Sequence, residues 1–370
     1  MRLSGIRKVF VLGDLHLGVK NNSLEWSDIQ AQYLLDEFPK QVDALGFDPE
    51  TDILVQVGDW NHTRESTNTR IYKISIQIAE YLTSKFKRGV YVILGNHDVY
   101  YKDRTDTHSL YGFNRMFSNF HVFEKPQALQ INSHDFLLLP WEEDLGEIRN
   151  SLTLHHSAKY IFCHAEIKGI SLGKNTHLEH GLDLDELANF KKVYSGHIHL
   201  HQRKNNVLYV GTPYEMDRGD RTNPKGFYVL DVSGPEISEK FVPNEVSPKH
   251  LKFDVFEVLQ FTPQQAKALF KNNFVDISME SEFSKRFPIS RFTEMVKDFG
   301  QRRLEFMSYS KNQAVPASQA EAAMSYEYNI FTVMNEKLTQ MNLNSSLSNQ
   351  VTEKFKNLYD TLKNTKEYDQ

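Results

Sequence analysis

Lys8-Val9-Phe10-Val11-Leu12-Gly13-Asp14-Leu15-His16 begins as an apolar run and breaks at a glycine into two side chains that can ligate a cation. The run is too short for a helix and reads as a buried strand. The pattern returns twice: Ile53 to Val57 ends at Gly58-Asp59, and Gly89 to Leu94 ends at Gly95-Asn96-His97-Asp98. Between these strands, residues 27 to 45 carry Ile29, Tyr33, Leu34, Phe38 and Val42 at helical spacing, and residues 70 to 86 are also predicted helical. Further strands are expected at 136–139, 160–163, 192–194, 207–210 and 226–230. The result is a layered α/β pattern with polar motifs hung on strand ends. A glycine ahead of each polar residue lets the chain turn sharply and approach a ligand closely.

A chain of 370 residues exceeds the usual size of one core, so one large domain with smaller attachments is expected. With 40% hydrophobic and 25% charged residues the composition is globular rather than disordered. The net charge of −5 argues against coating nucleic acid by bulk electrostatics, so any such contact must be local. No apolar run approaches the roughly 18 residues needed to span a bilayer, and no signal peptide or anchor is expected. The single cysteine, Cys163, excludes an internal disulfide and fits a reducing, cytoplasmic address. Within Tyr160-Ile161-Phe162-Cys163 it reads as a small buried hydrophobe rather than a nucleophile.

Three regions follow: 1–243, a core; 244–312, a small α/β attachment; and 313–370, a helical tail. In the second, strands are predicted at 251–259, 274–279 and 303–309 and helices at 263–272 and 290–299. It carries Lys271, Lys285, Arg286, Arg291, Arg302 and Arg303, either a solvated basic face or a phosphate-contacting patch. In the tail, Ser318 with Glu321 forms a capping box ahead of Met324, Phe331, Met334, Leu338 and Met341 on one helical face. A second helix places Leu347, Val351, Phe355, Leu358 and Leu362 on one face. A Met-rich amphipathic pair beyond a complete core suits docking to a partner.

Phosphodiester hydrolysis needs a nucleophile, neutralisation of the phosphoryl oxygens and protonation of the leaving oxygen. Two divalent ions about 3.5 to 4 Å apart meet the first two needs, held by carboxylate, imidazole and amide oxygen ligands. Asp14 and His16, two residues apart, face the same way in extended backbone. Asp59 supplies a second carboxylate, Asn96-His97 an amide oxygen and an imidazole, and His164 follows a buried strand. Gly196-His197-Ile198-His199 delivers two more imidazoles. Each piece alone has a bland reading, since Gly-Asp is common and a lone His after a strand is usually structural. Their joint order, each at a predicted strand end, points to a dinuclear phosphoesterase.

These motifs resemble the calcineurin-like metallophosphoesterase superfamily, whose fold is a two-sheet α/β sandwich. The resemblance implies that Asp14, His16 and His199 hold one metal, Asn96, His164 and His197 the other, and Asp59 bridges. It assigns His97 not to a metal but to the scissile phosphate, as general acid or charge stabiliser. Asp98 is expected to fix the turn or orient His97. His201 continues the alternation, but the superfamily pattern stops at His199. His177 and His180 lie in the loop between His164 and His197, where a surface position is the ordinary expectation and an approach to substrate the alternative. His108, His121, His134, His155 and His156 match no motif and are expected at the surface or in turns.

The flanks narrow the substrate. Gly13-Asp14-Leu15-His16-Leu17-Gly18 and Gly58-Asp59-Trp60-Asn61-His62 resemble the SbcD/Mre-eleven family of DNA repair nucleases, in which a histidine at the offset of His62 helps position the DNA phosphate. Here Asn61 replaces the usual aromatic residue. Leu139-Pro140-Trp141, Tyr194-Ser195-Gly196-His197, Tyr209-Val210-Gly211-Thr212-Pro213, Gly219-Asp220 and Pro224-Lys225-Gly226-Phe227 resemble the branch found in T-even-like bacteriophages. That resemblance implies a DNA exonuclease and endonuclease using two Mn²⁺ ions, with Mg²⁺ as the alternative. It further implies a cap that admits DNA, a tail that binds an SbcC/Rad-fifty-like ATPase, homodimerisation through the core, and the host cytoplasm as location. Two rival readings are a phosphatase or small-substrate phosphodiesterase, and a non-catalytic subunit that tethers DNA ends.

Overall fold

The computed structural model describes residues 1–173, 176–309 and the single position 353. Two sheets form its centre. The first runs in the order Ser238–Pro243, Gly226–Asp231, Lys8–Leu12, Ile53–Gln56, Val90–Ile93, Phe120–Phe123; from Lys8–Leu12 onward neighbouring strands are parallel. The second runs Arg2–Leu3, Gln127–Ile131, His134–Leu139, Tyr160–His164, Lys192–Gly196, Val207–Tyr209, Gln202–Lys204, with its middle strands parallel.

The pleat explains why these strands are apolar throughout. Val9, Val11, Ile53, Val55, Tyr91 and Ile93 point inward and meet Phe136, Leu138, Phe162, Tyr194 and Leu208 of the other sheet. The alternate residues Phe10, Leu12, Leu54, Val90 and Val92 face outward, under Trp26, Ile29, Leu34, Phe38, Ile78 and Leu82 of the helices Leu24–Gln32, Tyr33–Glu37, Phe38–Ala44 and Thr69–Lys85. On the opposite side Leu137, Ile161, Cys163 and Val193 pack under Ile148 and Leu152 of the helix Leu145–Leu154. A strand covered on both faces has no polar side to present, hence the unbroken hydrophobic runs. The fold is therefore the expected two-sheet α/β sandwich. The strands Phe120–Phe123, Gln127–Ile131, Gln202–Lys204 and Ser238–Pro243 were not expected; they lie at or next to sheet edges and carry polar residues.

Beyond Pro243 a parallel sheet of His250–Asp254, Phe274–Glu280 and Arg303–Tyr309 builds a separate small core with the helices Pro263–Phe270 and Ile289–Val296. The strand expected at 251–259 ends early. Asp254 caps the short helix Val255–Val258, accepting from Phe256 N–H while Glu257 returns a bond to the Asp254 N–H. This unit is tied to the sandwich in two ways. Trp26 stacks on Phe274, ring centroids 5.5 Å apart, and on His250. Asp276, fully buried in the middle strand, accepts a bidentate pair from Arg218 at 2.7 and 2.9 Å and a further ion pair from Arg221. Of the six basic residues read as either a solvated face or a phosphate-contacting patch, Arg302 pairs with Glu25, Arg303 with Glu305 and Lys285 with Glu282. The capping box and helices expected in the tail lie outside the described residues. No helix among the described residues is long and apolar enough to cross a membrane.

Candidate metal centre

Parallel strands end on the same side, so the turns after Leu12, Gln56 and Ile93 open into one crevice together with the ends of Tyr160–His164 and Lys192–Gly196 from the other sheet. Packing there is close enough to demand glycine. A Cβ on Gly95 would lie 2.2 Å from Asp59 Oδ1, and one on Gly196 would lie 2.2 Å from Val57 O and 2.6 Å from Asp14 Oδ1. Three residues at these ends, His16, Asp59 and His197, have positive φ (48°, 57° and 83°). Backbone strain of this kind persists only where surrounding bonds impose it. Here the N–H groups of Leu15 and His16 both donate to Asp59 O, and the buried Gln30 amide donates to Leu15 O and His16 O. The Gln56 amide donates to Gly13 O and Gly58 O and accepts from Gly58 N–H, cross-bracing the first two turns.

The side chains gather in two groups about Asp59. His16 Nε2 lies 2.8 Å from His199 Nε2, and Asp14 Oδ2 is 4.0 Å from the same His199 atom. In the second group the Asn96 Oδ1 is 3.0 Å from both His164 Nε2 and His197 Nδ1. Asp59 Oδ2 sits 3.5 Å from His16 Nε2 and 3.5 Å from His164 Nε2, between the groups, while its Oδ1 accepts the His97 N–H at 2.8 Å. Asp14, His16, Asp59 and His164 are buried.

The donor chemistry fits cations. The His164 Nδ1 is 2.8 Å from Val57 O, which fixes the proton there and turns the Nε2 lone pair toward Asn96 Oδ1 and Asp59. Acceptors facing acceptors repel unless positive charge, a proton on Nε2 or a cation in its place, lies among them. The field says the same. Burial opposes charge on His164, but the Asp59 and Asp14 carboxylates and the Val57 carbonyl outweigh it and push the imidazole up to about 9. Burial likewise opposes charge on Asp59, yet the charged His164 imidazole hydrogen-bonded to it holds its carboxyl well below the usual range. Burial lowers His16 and His197, keeping them neutral and able to donate lone pairs.

His97 and His62 stand beside these groups. The His97 ring is 4.8 Å from that of His16 and stacks on His62, whose Nδ1 is 3.2 Å from His16 Nδ1. Asp98 turns away: fully buried, its carboxylate accepts from the N–H groups of Gly95, Trp60 and Asn61, joining the third turn to the second. Among the histidines outside the motifs, His201 is elsewhere, its Nε2 2.7 Å from the Tyr228 hydroxyl and its ring on Phe241. His177 is exposed. His108 and His134 are not at the surface as expected; both are buried, His108 beside Glu124 and His134 against Gly234 O.

Sequence reasoning missed three contributors. Glu166 lies 3.3 Å from His197 Nε2, and the exposed His180 lies 3.1 Å from its other oxygen; burial would raise the Glu166 carboxyl, but its bond to His197 dominates and lowers it. Trp141 stacks on the His197 ring. Lys225 donates to His199 O and pairs with the buried Asp220, so the loop that carries Arg218 is bonded to a residue of the centre. The spacing His164-x-Glu166 was the available signal for the first; Trp141 and Lys225 stood in family-like motifs without a role assigned to them.

Comparison with known proteins adds relatives and a family. The exonuclease subunit 1 of Enterobacteria phage T4 is 30% identical over 247 residues, 65% of this chain and 68% of that protein. A candidate phosphoesterase, 244L, of Invertebrate iridescent virus 6 is 27% identical over 242 residues, 63% of this chain and 78% of that protein. Among solved structures, a candidate diadenosine tetraphosphatase matches at 15% identity over 66% of this chain and 99% of that chain, with a TM-score of 0.30. The sequence profile of the calcineurin-like phosphoesterases matches residues 7–226, a span that contains every strand-end motif from Asp14 to His199. With that match over more than half its length and these donors at its strand ends, the chain belongs to the calcineurin-like phosphoesterase family.

Proposed function

We propose that this chain is a metal-dependent DNA exonuclease and endonuclease, the nuclease subunit of an assembly with an SbcC/Rad-fifty-like ATPase. The observation that carries the reading is the position of Asp59, 3.5 Å from an imidazole of each donor group, with His97 bonded to its other oxygen. That arrangement supports Asp14, His16 and His199 as one ligand set, Asn96, His164 and His197 as the other, and Asp59 as the bridge. Two divalent ions held there would polarise the phosphate and acidify water, with Mn²⁺ the expected pair and Mg²⁺ the alternative.

The protein's own groups do the rest. His97 Nδ1 lies 2.6 Å from His62 O, so its proton stays on that bond and Nε2 becomes the atom that exchanges a proton with substrate. As imidazolium, His97 delivers that proton to the departing sugar oxygen and reverts to the neutral ring. His62, stacked beneath it and half-buried, holds the phosphate in register. Trp141 excludes water from the His197 side.

Similarity to a phage exonuclease subunit supports DNA as the substrate and a partner protein as the setting. In this reading residues 1–243 are the nuclease core, 244–312 a cap that governs DNA access, and 313–370 the ATPase-binding tail, with homodimerisation through core helices. The test is cleavage of end-labelled duplex and single-stranded DNA with Mn²⁺ or Mg²⁺, with and without an SbcC-type ATPase. Hydrolysis of bis(p-nitrophenyl) phosphate with both DNA forms intact would replace the reading with a small-substrate phosphodiesterase. Deleting 314–370 should abolish co-purification with the ATPase while sparing Mn²⁺-dependent chemistry.

A further inference from the structure

His197 is held on three sides. Its N–H donates to both oxygens of Asp14, at 3.2 and 3.0 Å, and its face stacks on Trp141, centroids 5.1 Å apart and 26° from parallel. Its two ring nitrogens meet different partners: Nδ1 is 3.0 Å from Asn96 Oδ1, and Nε2 is 3.3 Å from Glu166 Oε1. An imidazole carries its single neutral-state proton on one nitrogen only, and a carboxylate beside Nε2 draws it there.

We propose that Glu166 is a positioning residue for His197, holding the proton on Nε2 so that the Nδ1 lone pair points to the Asn96 side of the centre. The inference rests on the reading of Asn96, His164 and His197 as ligands of one divalent ion, and it adds a residue that sets which tautomer this ion meets. Glu166 is itself fixed. Its main-chain oxygen accepts the Leu182 N–H at 2.9 Å, and Gly181 packs so closely that a Cβ there would lie 2.4 Å from that oxygen. This contact brings His180, the residue before Gly181, to 3.1 Å from Glu166 Oε2. The carboxylate therefore bridges His197 and His180, its two oxygens committed in different directions. Trp141 alone cannot choose a tautomer, because stacking is blind to which nitrogen bears the proton.

The test is Mn²⁺ binding by the full-length protein, measured by equilibrium dialysis and by the electron paramagnetic resonance of the bound ions. The proteins compared are the wild type, Glu166→Ala, Glu166→Asp and His197→Ala. The expected result is two bound ions with a spin-coupled spectrum in the wild type. In Glu166→Ala one ion should bind about 10- to 100-fold more weakly, with an uncoupled spectrum from the ion that remains. Glu166→Asp should recover part of the loss, and circular dichroism should show all four proteins folded. Two ions bound by Glu166→Ala with wild-type affinity and coupling would overturn the proposal, provided His197→Ala loses one. Should His197→Ala also keep both, the ligand reading fails together with this inference. A Glu166→Ala protein that unfolds is replaced by Glu166→Leu, which fills the space but cannot accept from Nε2, and for which the same weakening is expected and unchanged binding again overturns the proposal.

Discussion

The Nδ1 atom of His97 lies 2.6 Å from the main-chain oxygen of His62, and the two rings stack with centroids 5.2 Å apart, 12° from parallel. A contact with a carbonyl oxygen permits one arrangement only, with the proton on Nδ1. The face of one turn thus sets the protonation geometry of a residue on another.

His97→Ala should remove proton delivery while leaving both ligand groups intact, since only the main-chain N–H of His97 reaches Asp59. Phosphodiester cleavage should fall by about 10²- to 10⁴-fold. Mn²⁺ stoichiometry by equilibrium dialysis should be unchanged. Loss of bound metal in this variant would mean that the ring is a ligand.

Gly95→Ala places a methyl group 2.2 Å from Asp59 Oδ1 and 2.3 Å from its main-chain nitrogen. The Oδ1 ends a short, buried side chain already held by the His97 N–H and the nitrogen is main chain, so the second and third turns must separate. Destabilisation of about 1–3 kcal/mol is expected in urea unfolding. Mn²⁺ affinity should also drop, because Asp59 stands between the two groups. Wild-type affinity would show that the turns are less closely packed than the structure has them.

Asp276→Ala removes the carboxylate shared by Arg218 and Arg221, both largely buried, although Arg218 keeps its ion pair with Glu305. Removing one partner of a buried ion pair costs about 3–5 kcal/mol. Because Asp276 belongs to the middle strand of the small sheet, hydrogen exchange should quicken in residues 250–309 before it does in the sandwich strands. Uniform exchange across both regions would dismiss the ion pair as a specific tie.

Burial pushes the Cys163 thiol up to about 12, so the native protein should not react with a thiol reagent at pH 8 and should react on unfolding. The sign of the linked effect follows. Between the ordinary thiol value of 9.0 and about 12 the unfolded chain releases a proton that the native chain retains. This group's contribution to stability therefore declines as pH rises through that window and is absent as a pH effect below it. Rapid labelling of native protein would contradict the burial.

The strand-end motifs were legible because everything that makes them is local. An apolar run too short for a helix, a glycine and a polar residue sit within a few positions, as at Val11-Leu12-Gly13-Asp14. Residues 251–259 were misread because Leu251-Lys252-Phe253-Asp254 alternates as a strand does, and the apolar residues after it continue the pattern. The Asp254 and Glu257 pair was the local sign of a helix start. Strands near a sheet edge, such as Gln127–Ile131, were missed because part of their surface meets solvent and their sequence carries polar residues.

The sequence by itself determined the fold class, the order of the motifs and the set of donors, since hydrophobic periodicity and turn chemistry act over a few residues. Tertiary structure alone decided how those donors are wired. That Asp98 spends its carboxylate on three N–H groups depends on atoms 37 and 38 residues away for two of them. That Glu166 faces His197 depends on atoms 31 residues away. That Arg218 and Arg221 close on Asp276 depends on atoms 58 and 55 residues away. Such bonds form only when two sheets and a third small one bring distant turns together, and no spacing in the chain encodes the distance between them.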